Sequence, residues 1–253
     1  MSQNPFDLHG KTALVTGSSR GLGLGIALAF AEAGARVVLH GSRQVPAEAM
    51  SRVNQASPGA FAVTGDLSKP DSCPRMIEQV IAKFGQIDIL VNNAGTIRRA
   101  PAADHSWDDW AAVLETNLSS VFRLSQLAGK HMLAAGTGKI INIASLLTFQ
   151  GGVTVPSYAA AKGGVGQLTK ALSNEWASRG VNVNAIAPGY METDNTAALR
   201  TDPVRSRQIL ERIPAGRWGA PADVGGAAVF LASRASDYIH GHILVVDGGW
   251  MGR

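Results

Sequence analysis

Seven short, apolar, β-branched runs punctuate the 253-residue chain, and several are apolar almost without interruption. Segments such as IDILVN and ILVVD do not alternate apolar with polar, so a strand built from them is covered on both faces. That pattern calls for a parallel sheet sandwiched between helices. The runs fall at residues 12–16, 36–40, 60–64, 87–92, 139–144, 182–187 and 243–247. Between the first two, Leu22, Ile26, Phe30 and Ala33 recur at offsets of four, four and three, a single apolar stripe that Gly34 ends. Further helices are expected near 70–84, 107–135, 158–179, 203–212 and 222–233. No Ser/Gly-rich linker and no repeat interrupts the alternation. The reading is one doubly wound α/β domain over residues 1–253, with about seven parallel strands flanked by helices. Ligands of such sheets bind at the carboxyl ends of the strands.

Composition narrows the function. The chain has 23 Lys plus Arg against 19 Asp plus Glu, a formal charge of +4. The excess is spread along the chain, so a nucleic-acid partner is not implied. One cysteine, Cys73, allows neither an intrachain disulfide nor a cysteine-based zinc site. The six histidines are dispersed, and no metal site is expected. The opening MSQNPFDLHGK lacks a basic stretch followed by an apolar one, and the longest nearly apolar run, 21–31, is too short to span a bilayer. A cytoplasmic protein with no membrane partner is expected.

The first strand runs into Thr16-Gly17-Ser18-Ser19-Arg20-Gly21-Leu22-Gly23 and then the first helix. Gly17 allows a tight turn, Gly21 lets backbone approach a pyrophosphate, and Gly23 permits close helix packing. Free N–H groups and the helix dipole favour an anion there, with Ser19 and Leu22 beside it. The end of the second strand bears on which dinucleotide fits. A carboxylate there would hold the 2′-hydroxyl of NAD. The segment instead offers His40, Ser42 and Arg43, with Arg20 on the neighbouring turn, and two guanidiniums suit a 2′-phosphate. NADP(H) is therefore the expected cofactor, with NAD(H) as the alternative.

A second constellation gathers at the same rim. Tyr158 and Lys162, four apart at the start of a helix, share a face. An ammonium beside a phenol lowers its pKa from ~10, so the tyrosine can exchange a proton near neutrality. Ser145 closes the strand KIINIAS, and Asn92-Asn93-Ala94-Gly95 closes another. Asn117 lies inside a long helix, where asparagine has poor propensity, so its side chain or a water could take up a helical carbonyl. Pro188-Gly189 closes the next strand, with Met191 and Thr193 shortly after.

Together TGSSRGLG, Asp66, NNAG, Asn117, Ser145, YAAAK and PGYMET resemble the ordered motif set of the short-chain dehydrogenase/reductase family, over essentially the full chain. The resemblance implies a Rossmann-type fold, a cofactor half over roughly residues 1–100 and a catalytic and substrate half over roughly 101–253. It implies hydride transfer between nicotinamide and a carbonyl or alcohol carbon. Tyr158 would be the general acid, and Ser145 would orient the substrate oxygen. Lys162 would bind the nicotinamide ribose and tune Tyr158, and Asn117 would hold a water in a proton relay. Asp66 and Leu67 would contact adenine, Asn93, Ala94 and Gly95 would lie beside the adenosine, and residues 188–193 would run along the nicotinamide. The family usually forms tetramers, so a homotetramer is expected.

Substrate choice is read from the arginines near the rim. Arg98 and Arg99 follow NNAG, and residues 196–217 hold Arg200, Arg205, Arg207, Arg212 and Arg217 against only Asp202 and Glu211. Arginine suits bidentate capture of a carboxylate. Within the family, NNAGTIRR, INIASLLTFQGGVTVPSY, NVNAIAPGYMETDNT, IPAGRWG and VVDGGW are similar to 2-dehydro-3-deoxy-D-gluconate 5-dehydrogenases, with reductases of 4-deoxy-L-erythro-5-hexoseulose uronate in the same neighbourhood. That implies a six-carbon keto-deoxy sugar acid, its carboxylate facing Arg98, Arg99 or Arg217 and its hydroxyls near Gln150 and Met191. The alternatives are a 3-oxoacyl-carrier-protein reductase and a gluconate 5-dehydrogenase-like sugar reductase.

Overall fold

The structure is a computed structural model that describes residues 4–253, so the first three residues of the opening segment lie outside it. All seven expected strands form: β1 (Thr12–Val15), β2 (Arg36–Gly41), β3 (Phe61–Thr64), β4 (Ile89–Asn92), β5 (Gly138–Ile143), β6 (Val181–Pro188) and β7 (Ile243–Val246). They make one parallel sheet in the order β3-β2-β1-β4-β5-β6-β7. The order reverses direction between β1 and β4, which opens a crevice at their carboxyl ends.

The helices are α1 (Gly21–Glu32), α2 (Ala47–Ala56), α3 (Ser72–Phe84), α4 (Trp107–Leu114), α5 (Ser120–Ala135), α6 (Pro156–Trp176), α7 (Ala197–Thr201), α8 (Pro203–Leu210) and α9 (Pro221–Ala232). Successive strand residues feed opposite layers, as the pleat requires. Ala13, Val15, Val37 and Leu39 pack with Ile26 and Phe30 of α1 and Val224 and Ala228 of α9. Leu14, Val38 and Leu90 pack with Met76 of α3, Leu124 of α5 and Trp176 of α6. Both faces of the central strands β1 and β4 are largely apolar because both are buried, while the edge strands β3 and β7 are only partly covered.

Besides the short helix α7, two features depart from the sequence reading. Helix α2 was not expected: it buries only Ala49 and Val53, which leaves too thin a stripe to read. The segment expected as one helix over 107–135 contains a π-helical turn, Glu115–Ser119, between α4 and α5. Such turns insert one residue into a helix and re-aim its side chains, often at functional sites. Here the re-aimed residue is Asn117.

Candidate active site

The glycine turn is held from beneath. The Asn93 amide donates to the Thr16 carbonyl at 2.8 Å and to the Gly17 carbonyl at 3.2 Å. The Thr16 hydroxyl accepts from the N–H groups of Asn93 and Ala94 at 2.9 and 3.0 Å. The fit leaves no room for side chains. Gly17 has φ +62°, and a Cβ there would lie 2.8 Å from the Ala94 Cα; a Cβ on Gly23 would lie 2.4 Å from the Gly17 carbonyl oxygen. Helix α1 then begins at Gly21, its N-cap Arg20 gives no capping side-chain hydrogen bond, and its first turn lines the cleft, so its first N–H groups are left for water or a ligand. These donors, cradled by glycines, fit a dinucleotide pyrophosphate.

The cleft that starts at this turn has a volume of about 600 Å³ and runs to Tyr158 and Lys162. It takes in every expected cofactor residue except Arg43, together with Arg98 and Ser145. Arg43 stands just outside, and its positive charge helps hold the Asp66 carboxyl below its usual range, after the two hydrogen bonds from Ser68. Sequence reasoning missed Thr96, Thr116, Asp194 and Thr196, which also line the cleft. Asp194 pairs with Arg20 at 3.0 Å across its mouth, a contact between residues too distant in sequence to be read from spacing.

His40 lines the cleft, but its ring nitrogens are directed at protein groups. Its ring is buried and both nitrogens are taken up by protein: Nδ1 accepts from the Gly17 N–H and Nε2 bonds the Gly65 carbonyl, each at 2.9 Å. Burial holds its pKa below the ordinary 6.5.

At the far end, Ser145 follows β5 in extended backbone, and its hydroxyl accepts from the Leu147 N–H at 3.2 Å. Thr148 ties this loop to α6 by donating to the Lys162 carbonyl at 3.0 Å. Tyr158 and Lys162 share a face of α6 as the spacing predicts, with Nζ 5.6 Å from the phenol ring centroid. The electrostatics differ from the sequence argument. Burial raises the Tyr158 pKa, while interaction with the Ser145 hydroxyl and the positive charge of Arg99 pull it down. Lys162 is buried and brought down to about 8 by desolvation, and its ammonium donates to the Ile143 carbonyl at 2.5 Å.

Asn117 does not fill a helical carbonyl with its side chain. The fully buried amide brackets the Thr96 backbone, accepting from its N–H and donating to its carbonyl, both at 2.8 Å. It thereby fixes the strand end that carries NNAG against the π turn. The arginines divide. Arg98 pairs with Asp109 at 3.2 Å, whereas Arg217 forks onto Asp223 at 2.7 and 2.8 Å and lines a separate cavity of about 240 Å³. Gln150 accepts from the Trp250 indole at 3.3 Å. Among the described residues no group of three or more His, Cys, Asp or Glu is placed to hold a metal, and no helix is long and apolar enough to cross a membrane.

A family model described as enoyl-(acyl carrier protein) reductase matches residues 17–251. The chain belongs to the short-chain dehydrogenase/reductase family. Within that family it is 58% identical over 251 residues to the 2-dehydro-3-deoxy-D-gluconate 5-dehydrogenase of Pseudoalteromonas atlantica, covering 98% of each chain. It is 52% identical to the protein of the same name from Escherichia coli, over the whole of both chains. Among solved short-chain dehydrogenase/reductase structures it is similar to a gluconate 5-dehydrogenase from Burkholderia cenocepacia in complex with NADP and tartrate. That match has a TM-score of 0.94 and 42% identity, and covers 98% of each chain. Membership makes the chain an oxidoreductase with a nucleotide-binding sheet.

The buried lysine links this site to stability. Because the folded value of about 8 lies below 10.5, the folded state is penalised while Lys162 is charged. The penalty is full below about pH 8 and fades as pH rises towards 10.5. Replacing Lys162 by Met should therefore raise the melting temperature at pH 7 and raise it less at pH 9.5. A pH-independent difference would show that the ammonium is not penalised by burial.

Proposed function

We propose that the chain is an NADP(H)-linked oxidoreductase of a six-carbon keto-deoxy sugar acid, of the 2-dehydro-3-deoxy-D-gluconate 5-dehydrogenase or 4-deoxy-L-erythro-5-hexoseulose uronate reductase type, with NAD(H) usable. The substrate class is supported by Arg98, which lines the cleft that runs to Tyr158, with the adjacent Arg99 adding positive charge near that phenol. A carboxylated substrate whose reacting oxygen meets Tyr158 then has a cation within reach of its acid group. The relatives named for this activity support the reading.

The bound cofactor supplies or accepts the hydride. The protein binds, orients and moves a proton. Residues 17–23 would hold the pyrophosphate at the start of α1, with Asp66, Leu67 and residues 93–95 serving the adenosine and residues 188–193 the nicotinamide. Arg20, Ser42 and Arg43 favour a 2′-phosphate. In reduction, the Tyr158 O–H bond breaks as its proton passes to the substrate oxygen that Ser145 orients; in oxidation the proton returns. The raised Tyr158 pKa keeps the phenol protonated at neutral pH in the protein without cofactor, the form a general acid needs. Lys162, charged below about pH 8, would hold the ribose and favour the phenolate once formed. Asn117 acts by fixing the Thr96 backbone beside this centre and, with its neighbours in the π turn, would support the water relay. The cofactor half thus spans roughly residues 1–100 and the catalytic half 101–253.

We infer as well a cytoplasmic homotetramer without nucleic-acid or membrane partners. Half-exposed Phe122 on α5 and the sheet edge at β7, which among the described residues pairs with β6 alone, support association of copies. Light scattering should give four times the chain mass, and a monomer mass would contradict the assembly.

Turnover of a panel of keto sugar acids with NADPH and NADH tests the activity. NADPH should be preferred, and Tyr158→Phe should lower turnover about 10²–10⁴-fold while nucleotide fluorescence shows unchanged cofactor binding. Unchanged turnover would remove the acid role. Arg99→Ala should raise KM about tenfold or more for the carboxylated substrate and leave KM for its amide little changed. Equal effects on both would discard the carboxylate contact.

A further inference from the structure

His40 sits where a residue that reads the cofactor ribose is expected, yet it has no free nitrogen to offer. Its backbone N–H donates to the Ser18 hydroxyl and its carbonyl accepts from the Ser18 N–H, at 2.9 and 3.0 Å. Its ring reaches from the Gly17 N–H on one side to the Gly65 carbonyl on the other. Gly65 immediately precedes Asp66, so the imidazole spans the two loops that wall the adenosine end of the cleft. Opposite requirements fix its form. Gly17 can only donate, so Nδ1 must carry a lone pair; the Gly65 oxygen can only accept, so Nε2 must carry the hydrogen. Only the neutral Nε2–H tautomer satisfies both.

We propose that neutral His40 is a positioning residue for the nucleotide, holding the glycine turn and the Asp66 loop at the separation a dinucleotide requires. The inference rests on the nicotinamide cofactor reading and adds a role that the His40 ring plays through its bonds to protein. A protonated ring would set an N–H against the Gly17 N–H and release the turn. The charged groups around it are Arg20 on the turn, Arg43 after β2 and Asp66 after β3. Arg20 is paired with Asp194, Asp66 is bonded by Ser68, and Arg43 lies outside the cleft lining, so none bonds the ring. The tie therefore answers to the protonation of His40 itself, and burial favours the neutral form.

Three substitutions separate the two ends of the tie. His40→Asn keeps an acceptor where Nδ1 stood, His40→Gln keeps a donor where Nε2 stood, and His40→Leu removes both. Dissociation constants for NADPH and NADH, read by nucleotide fluorescence, should weaken about tenfold in the leucine variant, with smaller losses in the other two. kcat at saturating nucleotide should change much less than these constants. In the wild-type protein without nucleotide, long-range ¹H–¹⁵N spectra of the imidazole should show the Nε2–H tautomer. NADH, which has no 2′-phosphate to titrate, should bind more weakly as pH falls, with a midpoint below that of an ordinary imidazole, in the wild type and not in His40→Asn. A leucine variant that binds both nucleotides like the wild type, or an Nδ1–H tautomer, would overturn the role of His40 alone. Wild-type protein that binds neither nucleotide would overturn the cofactor reading, and this role with it.

Discussion

An α-helix that starts without a cap, at the edge of a cleft, keeps donors that water or a ligand must satisfy. In this chain the start of α1 is such a place, and much of the surrounding structure keeps it in position. Asn93 pulls the turn's carbonyls downward, Thr16 gathers the strand end that follows, and His40 ties Gly17 to the neighbouring loop. Each of these supports comes from the carboxyl end of a different strand. The parallel order of the sheet brings those ends together, so the geometry of the anion site follows from the topology rather than from any single loop.

The other end of the cleft shows the cost of function in the core. Lys162 is buried with its ammonium on a single backbone carbonyl, and Asn92 leaves its side-chain oxygen buried without a partner while its amide bonds Ser125 and Asn142. A fully apolar interior would be more stable at these positions. The polar groups persist where the sheet meets the catalytic helix, and Asn142 passes the connection on to Thr169 of α6. The chain accepts local instability to hold α6, and with it Tyr158, in one orientation against β5.

What the sequence exposes is periodicity and residue type. The strands were legible because burial on both faces leaves a continuous apolar run, and Tyr158 with Lys162 because helical spacing alone puts them on one face. What it hides is partnership. Arg217 reads from sequence as a free arginine, and only the fold shows Asp223, six residues on, bonded to both arms of its fork. Asn117 looks like a defect in a helix until the π turn aims its amide at Thr96. His40 has the right position to read a ribose, but only the fold reveals that its nitrogens face inward. In each case the type of group was visible and the direction of its bonds was not.

The substrate side is built differently from the cofactor side. Leu146, Ile209, Ile213, Trp218 and Trp250 form their own apolar cluster, apart from the two layers that cover the sheet. Trp250 is its hub: Tyr190 packs against its ring with centroids 4.7 Å apart, Arg212 lies 4.1 Å from its centroid, and its indole donates to Gln150. Helices α7 and α8 are thus fastened to the C-terminal residues and to the loop beyond Ser145, and the turn before them meets the cofactor turn through the exposed Arg20–Asp194 pair, whereas α9 packs on α1. An exposed pair of that kind contributes about 0–1 kcal/mol. The cluster around Trp250 is therefore held mainly by contacts of its own, while the strand ends that support the glycine turn, Tyr158 and Lys162 are held by the two layers that cover the sheet.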